Sequence, residues 1–142
     1  MAFLHYDNYI SFNPEETMLL GEKIGGILKP GDIVALEGKL GVGKTIFARG
    51  IAKSLGVKEE IMSPTYTIVN EYEANAFPFY HMDMYRISND DDFRLTGGEE
   101  LLYGNGVCVV EWPERINLPS SAFFVQIEIM EDGRRLIRFR AP

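Results

Sequence analysis

Hydrophobic and polar positions along the chain change period several times, and each change marks an element. Tyr9-Ile10-Ser11-Phe12 reads as a short extended stretch. Asn13-Pro14-Glu15-Glu16 then carries a helix start, with an Asn cap, proline at the first helical position and glutamate three residues after the cap. Leu20, Ile24, Ile27 and Leu28 follow at helical spacing and predict a buried stripe, which Lys29-Pro30-Gly31-Asp32 ends with turn chemistry. Gly25-Gly26 inside that pattern weakens the helix, and close packing against a neighbour is a physical reason for glycine there.

Ile33-Val34-Ala35-Leu36 is apolar throughout, as a strand buried on both faces of a parallel sheet must be. After a glycine-rich loop, Ile46 to Leu55 returns to helical spacing, with Phe47, Ile51 and Leu55 on one side and Gly56 as the stop. Tyr66 to Tyr72 and Phe77 to Ile87 are rich in aromatic and β-branched residues around Glu73-Ala74-Asn75-Ala76, which predicts a β-hairpin. Asp90 to Leu102 reads as helix interrupted at Gly97-Gly98. Val107 to Trp112 is a second buried strand, and Phe123 to Met130 with Leu136 to Arg140 forms a closing hairpin. Parallel-type and hairpin-type strands together predict an α/β domain with antiparallel additions to a central mixed sheet. No repeat or linker divides residues 1–142, so one domain is expected.

Composition narrows the function. The formal charge of −7, from 14 basic and 21 acidic side chains, repels a polyanion on average. The one basic cluster, Arg134, Arg135, Arg138 and Arg140, reads as exposed arginines alternating along an edge strand. The single cysteine, Cys108, excludes an internal disulfide and lies in an apolar run where a buried, inert thiol is expected. With no signal-like start and no apolar run long enough to cross a bilayer, a cytoplasmic protein without membrane contact is expected.

The chemistry centres on Gly38-Lys39-Leu40-Gly41-Val42-Gly43-Lys44-Thr45, a full match to G-x-x-x-x-G-K-[ST] between an apolar strand and a helix. Gly38, Gly41 and Gly43 let the backbone wrap so that successive N–H groups, Val42 among them, point at phosphate oxygens. The helix aims its positive end at the same anion. Lys44 adds a full charge toward the β- and γ-phosphates, and the Thr45 hydroxyl is the expected Mg²⁺ ligand. A guanine-reading Asn/Thr-Lys-x-Asp segment is absent from the sequence, which favours ATP over GTP.

Magnesium also needs an acid at the end of a buried strand beside the loop. Glu111, after Val107-Cys108-Val109-Val110, and Asp83, after Phe79-Tyr80-His81-Met82, both qualify. One can hold Mg²⁺ while the other orients the attacking water. Ser63-Pro64-Thr65-Tyr66-Thr67 follows the loop's helix, where a segment sensing the γ-phosphate is often placed, so a hydroxyl of Thr65 or Thr67 is a candidate contact. As single histidines, His5 and His81 read as structural.

These blocks, with His81-Met82-Asp83-Met84-Tyr85-Arg86 and Val110-Glu111-Trp112-Pro113-Glu114, resemble the TsaE (formerly YjeE) family of small bacterial ATPases in tRNA threonylcarbamoyladenosine biosynthesis. The resemblance implies a P-loop NTPase fold and weak solo hydrolysis of ATP. It implies assembly with a transferase subunit (TsaD) and its paralogous partner (TsaB), and support of threonylcarbamoyl transfer to the adenosine beside the anticodon, with tRNA met only indirectly. It implies Lys44 and Thr45 on phosphate and Mg²⁺, Glu111 on the metal, Asp83 in hydrolysis, Thr65 and Thr67 in a switch-like segment and Trp112 in the pocket wall. It also implies Glu15, Gly133 and Arg134 near the adenine. Two positions depart from the family's pattern: Lys39 where an acid is usual, and Ile46 where a hydroxyl that can reach the α-phosphate is usual. A small-metabolite kinase and a non-hydrolysing ATP-dependent binding module are the alternatives, and the first needs an arginine-bearing lid for which only Arg86 and Arg94 stand in the right stretch.

Overall fold

The structure, a computed structural model, describes residues 6–64 and 66–142. Strand β1 (Tyr6–Ser11) precedes helix α1 (Pro14–Gly25), β2 (Ile33–Glu37) and α2 (Lys44–Ser54). The hairpin β3 (Val69–Tyr72) and β4 (Phe79–Asp83) leads to two short helices, α3 (Asp90–Leu95) and α4 (Gly98–Leu102). Strand β5 (Val107–Glu111) follows, then β6 (Phe123–Ile129) and β7 (Arg135–Arg140). The strands form one seven-stranded sheet in the order β1-β7-β6-β2-β5-β4-β3. The inner strands β6, β2, β5 and β4 run parallel, and β7, β1 and β3 add antiparallel ladders outside them. This is the P-loop NTPase architecture with a mixed sheet flanked by helices that the pattern predicts.

Alternation along the strands sorts the core into two layers. Val34, Leu36, Phe79, Val107, Val109, Val125 and Ile127 pack beneath α1 and α2, together with Leu20, Ile24, Phe47 and Ile51. Ile33, Tyr80, Met82, Cys108 and Val110 face the other way, under Phe93 of α3 and Leu102 of α4. Every residue of β5 is buried, as an inner strand with helices on both faces requires. Burial pushes the Cys108 thiol up to about 12, which keeps it protonated and inert. Among the described residues no helix is long and apolar enough to cross a membrane.

Helix α1 begins where predicted: the Asn13 side chain accepts from the Glu16 N–H at 2.9 Å, and Glu16 Oε1 accepts from the Phe12 N–H at 2.9 Å. It ends earlier, at Gly25, because Ile27 and Leu28 close tighter turns onto Ile24 and Gly25. Of the two glycines at its end, Gly25 does pack closely, since a methyl there would strike Ser54 and lie 2.9 Å from the Ile51 carbonyl oxygen, whereas one on Gly26 would meet nothing nearer than 3.4 Å. Gly21 and Gly50 make the same close approach between the two helices. A methyl on Gly50 would strike the Met18 carbonyl oxygen and lie 3.0 Å from the Glu22 nitrogen, and one on Gly21 would strike the Phe47 carbonyl. Gly50→Ala therefore sets a helix-propensity gain of about 1 kcal/mol against a clash with rigid backbone. We expect the clash to win, lowering stability by about 1–3 kcal/mol in urea unfolding.

Other expectations change as well, and the strand expected over Phe77 to Ile87 is limited to Phe79–Asp83. The segment before β3 is not strand: Ile68 sits at φ 69°, and its N–H donates to the Pro64 carbonyl at 2.9 Å, so pairing with β4 starts at Val69. Nor is β7 an edge strand, because β1 pairs along its whole length and β6 holds its other side. The clustered arginines have separate partners: Arg134, just before β7, with Asp132, Arg138 with Glu128, and Arg135 with backbone carbonyls.

Candidate functional site

The loop between β2 and α2 has the backbone that its glycines predict. Gly41 (φ 78°) and Gly43 (φ 111°) lie in the left-handed region, and Gly43 caps α2 in place of a side chain. Gly38 is required by space, since a Cβ there would meet Val42 Cγ2 at 2.6 Å and the Ile127 oxygen at 2.8 Å. Lys44 is the first residue of α2 and is buried. Its Nζ has no hydrogen-bond partner. An Oε1 of Glu111 lies 3.6 Å away, and the Trp112 ring centroid 4.7 Å away.

The acids reach Lys44 through strand parity. His81 and Asp83 share the parity of Phe79 on β4, and Glu111 that of Val107 and Val109 on β5, so all three project to the α2 side of the sheet. Parallel register sets Asp83 beside Glu111 at the two strand ends, with His81 opposite Val109. Glu111 Oε2 is 2.5 Å from His81 Nε2. Asp83 Oδ1 accepts the Tyr85 N–H at 2.9 Å. Burial holds the Asp83 carboxyl above the ordinary carboxylate range; the Tyr85 bond opposes this, the Glu111 charge adds to it, and Lys44 and His81 oppose it more weakly. Beyond Glu111 the chain turns sharply at Trp112, which adopts φ 55° before Pro113. A left-handed tryptophan costs about 1–2 kcal/mol, and here it sets the ring beside Tyr85 (4.9 Å between centroids) and over Lys44.

These groups line a cavity of about 280 Å³ formed by Leu40, Gly41, Gly43, Lys44, Thr45, Ile46, Ser63, Asp83, Glu111 and Trp112. A buried ammonium without a hydrogen bond, at a helix N-terminus and behind a glycine loop, fits an anion. Thr45 and Glu111 offer a hydroxyl and a carboxylate, which suits a hard cation that takes the rest of its ligands from phosphate and water. Among the described residues no group of three or more His, Cys, Asp or Glu forms a metal cage, so a cation here would depend on the anion.

A second cavity of about 150 Å³ lies on the other side of Gly43 and Ile46, lined by Phe12, Asn13, Pro14, Thr17, Val42, Gly133 and Arg135 among others. Ile46 and Gly43 belong to both cavities and join them. Arg135 fastens this wall: its Nε donates to the Val42 carbonyl at 2.8 Å and its Nη1 to the Gly133 carbonyl at 2.6 Å.

Of the residues singled out in the sequence, the structure thus brings Gly41, Gly43, Lys44, Thr45, Ile46, Asp83, Glu111 and Trp112 together. Val42 and Gly133 line the adjoining cavity, and Gly38 supports the loop from behind. Three others stay outside both linings. Glu15 is exposed on the first turn of α1. Thr67 donates to Asn70 Oδ1 at 2.6 Å and borders a separate groove beside β3. Arg134 is held by Asp132 and sits over the Phe12 ring. Thr65 and His5 lie outside the described residues. Ser63, Arg135 and His81 join the site although none has a site role of its own in the sequence reading: Ser63 stands only within the Ser63–Thr67 segment, Arg135 in a cluster read as exposed, and His81 reads as structural. For His81 a signal was present, since it shares the i, i+2 parity of Asp83.

The chain is similar to known proteins over most of its length. A family model described as threonylcarbamoyl adenosine biosynthesis protein TsaE matches residues 11–137. The chain is 40% identical over 130 residues to the tRNA threonylcarbamoyladenosine biosynthesis protein TsaE of Treponema pallidum, covering 90% of this chain and 96% of that one. It is 42% identical over 131 residues to the protein of the same name from Bacillus subtilis, covering 91% and 82%. The crystal structure of Bacillus subtilis YdiB superposes with a TM-score of 0.76 at 35% identity, covering 99% of this chain and 88% of that one.

Proposed function

The chain belongs to the TsaE family of threonylcarbamoyladenosine biosynthesis, and on that premise we propose that it is a Mg²⁺-dependent ATPase serving threonylcarbamoyl transfer to tRNA. The observation that carries this reading is Lys44, a buried ammonium with no hydrogen-bond partner at the N-terminus of α2. A buried ammonium without a hydrogen bond, whose ion pair with Glu111 is long at 3.6 Å, carries an uncompensated desolvation cost, and a polyphosphate in the adjoining cavity offsets that cost. In this reading the loop N–H groups and Lys44 bind the β- and γ-phosphates, and the cavity walled by Phe12, Gly133 and Arg135 takes the nucleoside end. Thr45 and Glu111 hold Mg²⁺, which supplies charge neutralisation of the transferred phosphoryl group. Asp83, ionised, orients or deprotonates the attacking water, and Trp112 closes the wall beside Lys44.

The partners proposed are the transferase subunit TsaD and its paralogue TsaB in the cytoplasm, with tRNA held by them and not by this acidic chain. The test is hydrolysis of ATP by the purified protein, alone and with the transferase pair, with and without Mg²⁺. Weak solo activity that needs Mg²⁺ and rises with the pair is the expected result. Phosphate delivered to a small acceptor, with no response to the pair, would overturn the reading in favour of a kinase. The lid which a kinase needs finds no support in Arg94, tied to Asp91 and Glu99, or in Arg86, stacked over Tyr66.

A further inference from the structure

His81 is fully buried on an inner strand, where an apolar residue would pack without polar cost. Its Nε2 meets Glu111 Oε2 at 2.5 Å, and its Nδ1 has no partner. A carboxylate only accepts hydrogen bonds, so the Nε2 that meets it is the donor, and the buried Nδ1 makes no hydrogen bond. Of the two ring nitrogens, then, one is matched and one is stranded. Such a residue is a poor stabiliser of the sheet, because the unmatched nitrogen offsets the bond that is made.

What the contact does fix is orientation. His81 and Glu111 are diagonal neighbours on one face of β4 and β5, since His81 pairs with Val109, two residues before Glu111. With Oε2 taken by His81, the remaining oxygen, Oε1, is the one turned toward Lys44 at 3.6 Å. We propose that His81 is a positioning residue: its Nε2–H holds Glu111 so that a single oxygen, Oε1, is presented to the cation bound with the nucleotide. This rests on the Mg-ATP reading above. It assigns no proton transfer to His81 and no contact with substrate.

The test uses intrinsic fluorescence of Trp112, the chain's single tryptophan, which lies over Lys44. ATP is titrated into the protein in EDTA, and MgCl₂ is then titrated at saturating ATP. His81→Leu should leave metal-free ATP binding unchanged and raise the Mg²⁺ concentration for half-saturation about 10- to 100-fold, the usual loss when a metal ligand's outer partner is removed. His81→Gln, whose amide N–H lies at a reach close to that of Nε2, should recover most of the Mg²⁺ response, and the shorter His81→Asn should not.

An unchanged Mg²⁺ requirement in His81→Leu overturns the proposal, as does an equal weakening with and without Mg²⁺, which is what a purely structural histidine predicts. Should His81→Leu fail to fold, the Gln and Asn variants decide, and equal behaviour of those two overturns it. A wild-type protein whose ATP binding ignores Mg²⁺ would sink the Mg-ATP reading itself and this inference with it. A Mg²⁺-responsive wild type beside an unaffected His81→Leu would sink this inference alone.

Discussion

Lys44→Met is expected to abolish measurable ATP hydrolysis and to weaken ATP binding by about 100-fold or more, while leaving the unliganded protein as stable as the wild type or more stable. The two halves of this result share one cause. In the unliganded structure the Lys44 ammonium is buried with no hydrogen bond, and its ion pair with Glu111 is long at 3.6 Å. Methionine keeps the stem's volume against Trp112 and removes the desolvated charge, and Glu111, whose pairing with Lys44 is long, keeps its bond to His81, so folding loses little. Binding loses charge-assisted hydrogen bonds to phosphate worth about 1.5–3 kcal/mol each, and 1.4 kcal/mol is a factor of ten. Thermal unfolding separates the effects. Wild-type protein at ATP concentrations near 100 times Kd gains about 2.7 kcal/mol, a rise in Tm of several degrees. The variant should show no such rise. A variant that is strongly destabilised without ligand, or that still shows the ATP-dependent rise, would overturn the assignment of Lys44 as the phosphate cation.

Asp83→Asn should lower hydrolysis by about 100-fold or more, the range for loss of a positioned base, with ATP binding close to wild type. It should also stabilise the unliganded protein at neutral pH. The carboxyl is buried, and burial raises its pKa above the ordinary range, with the neighbouring Glu111 charge acting in the same direction. A carboxyl whose folded pKa is raised binds its proton more tightly in the folded chain. Its contribution to stability is therefore full at acid pH, below the unfolded value, and is lost as pH rises through the folded one. At neutral pH the ionised Asp83 is a cost that asparagine removes. The Tm advantage of the variant should accordingly be largest near neutrality and shrink as the pH is lowered into the carboxylate range. Wild-type activity should fall with acidification at a pH above the ordinary aspartate range. Equal hydrolysis by wild type and Asp83→Asn would remove Asp83 from the reaction and leave Glu111 as the one acid in play.

The elements that local chemistry controls were legible from the chain. The Asn13 cap, the proline behind it and Glu16 start α1 where the pattern says, because capping needs only residues within one turn of each other. Misjudged boundaries have non-local causes. Helix α1 stops at Gly25 although Ile27 and Leu28 continue the apolar stripe, since those side chains find the core from a tightened turn. Strand β3 starts late because Ile68 is held at positive φ by bonds to Pro64 and to Asp83 N–H, at 2.9 and 2.8 Å, which no propensity of a β-branched residue reveals. The arginines of β7 looked like an exposed edge because the sequence carries no mark that β1, far away in the chain, pairs with them.

By itself the sequence determined the glycine-rich loop and its strand and helix, and, through four short blocks in order, the family. These depend on residue type over contiguous stretches: glycines for positive φ, a lysine at the first turn of a helix, apolar runs for inner strands. Only the tertiary structure decided what surrounds the loop. His81 and Asp83 meet Glu111 through the parallel register of β4 and β5, strands joined by a long crossover through α3 and α4. Arg135 reaches Val42 from 93 residues away, and Glu15, Thr67 and Arg134 fall outside the linings because their own elements turn them elsewhere. The physical reason is that register, strand order and side-chain direction are settled by burying two faces of one sheet at once, and that requirement is written across the whole chain and in no single segment of it.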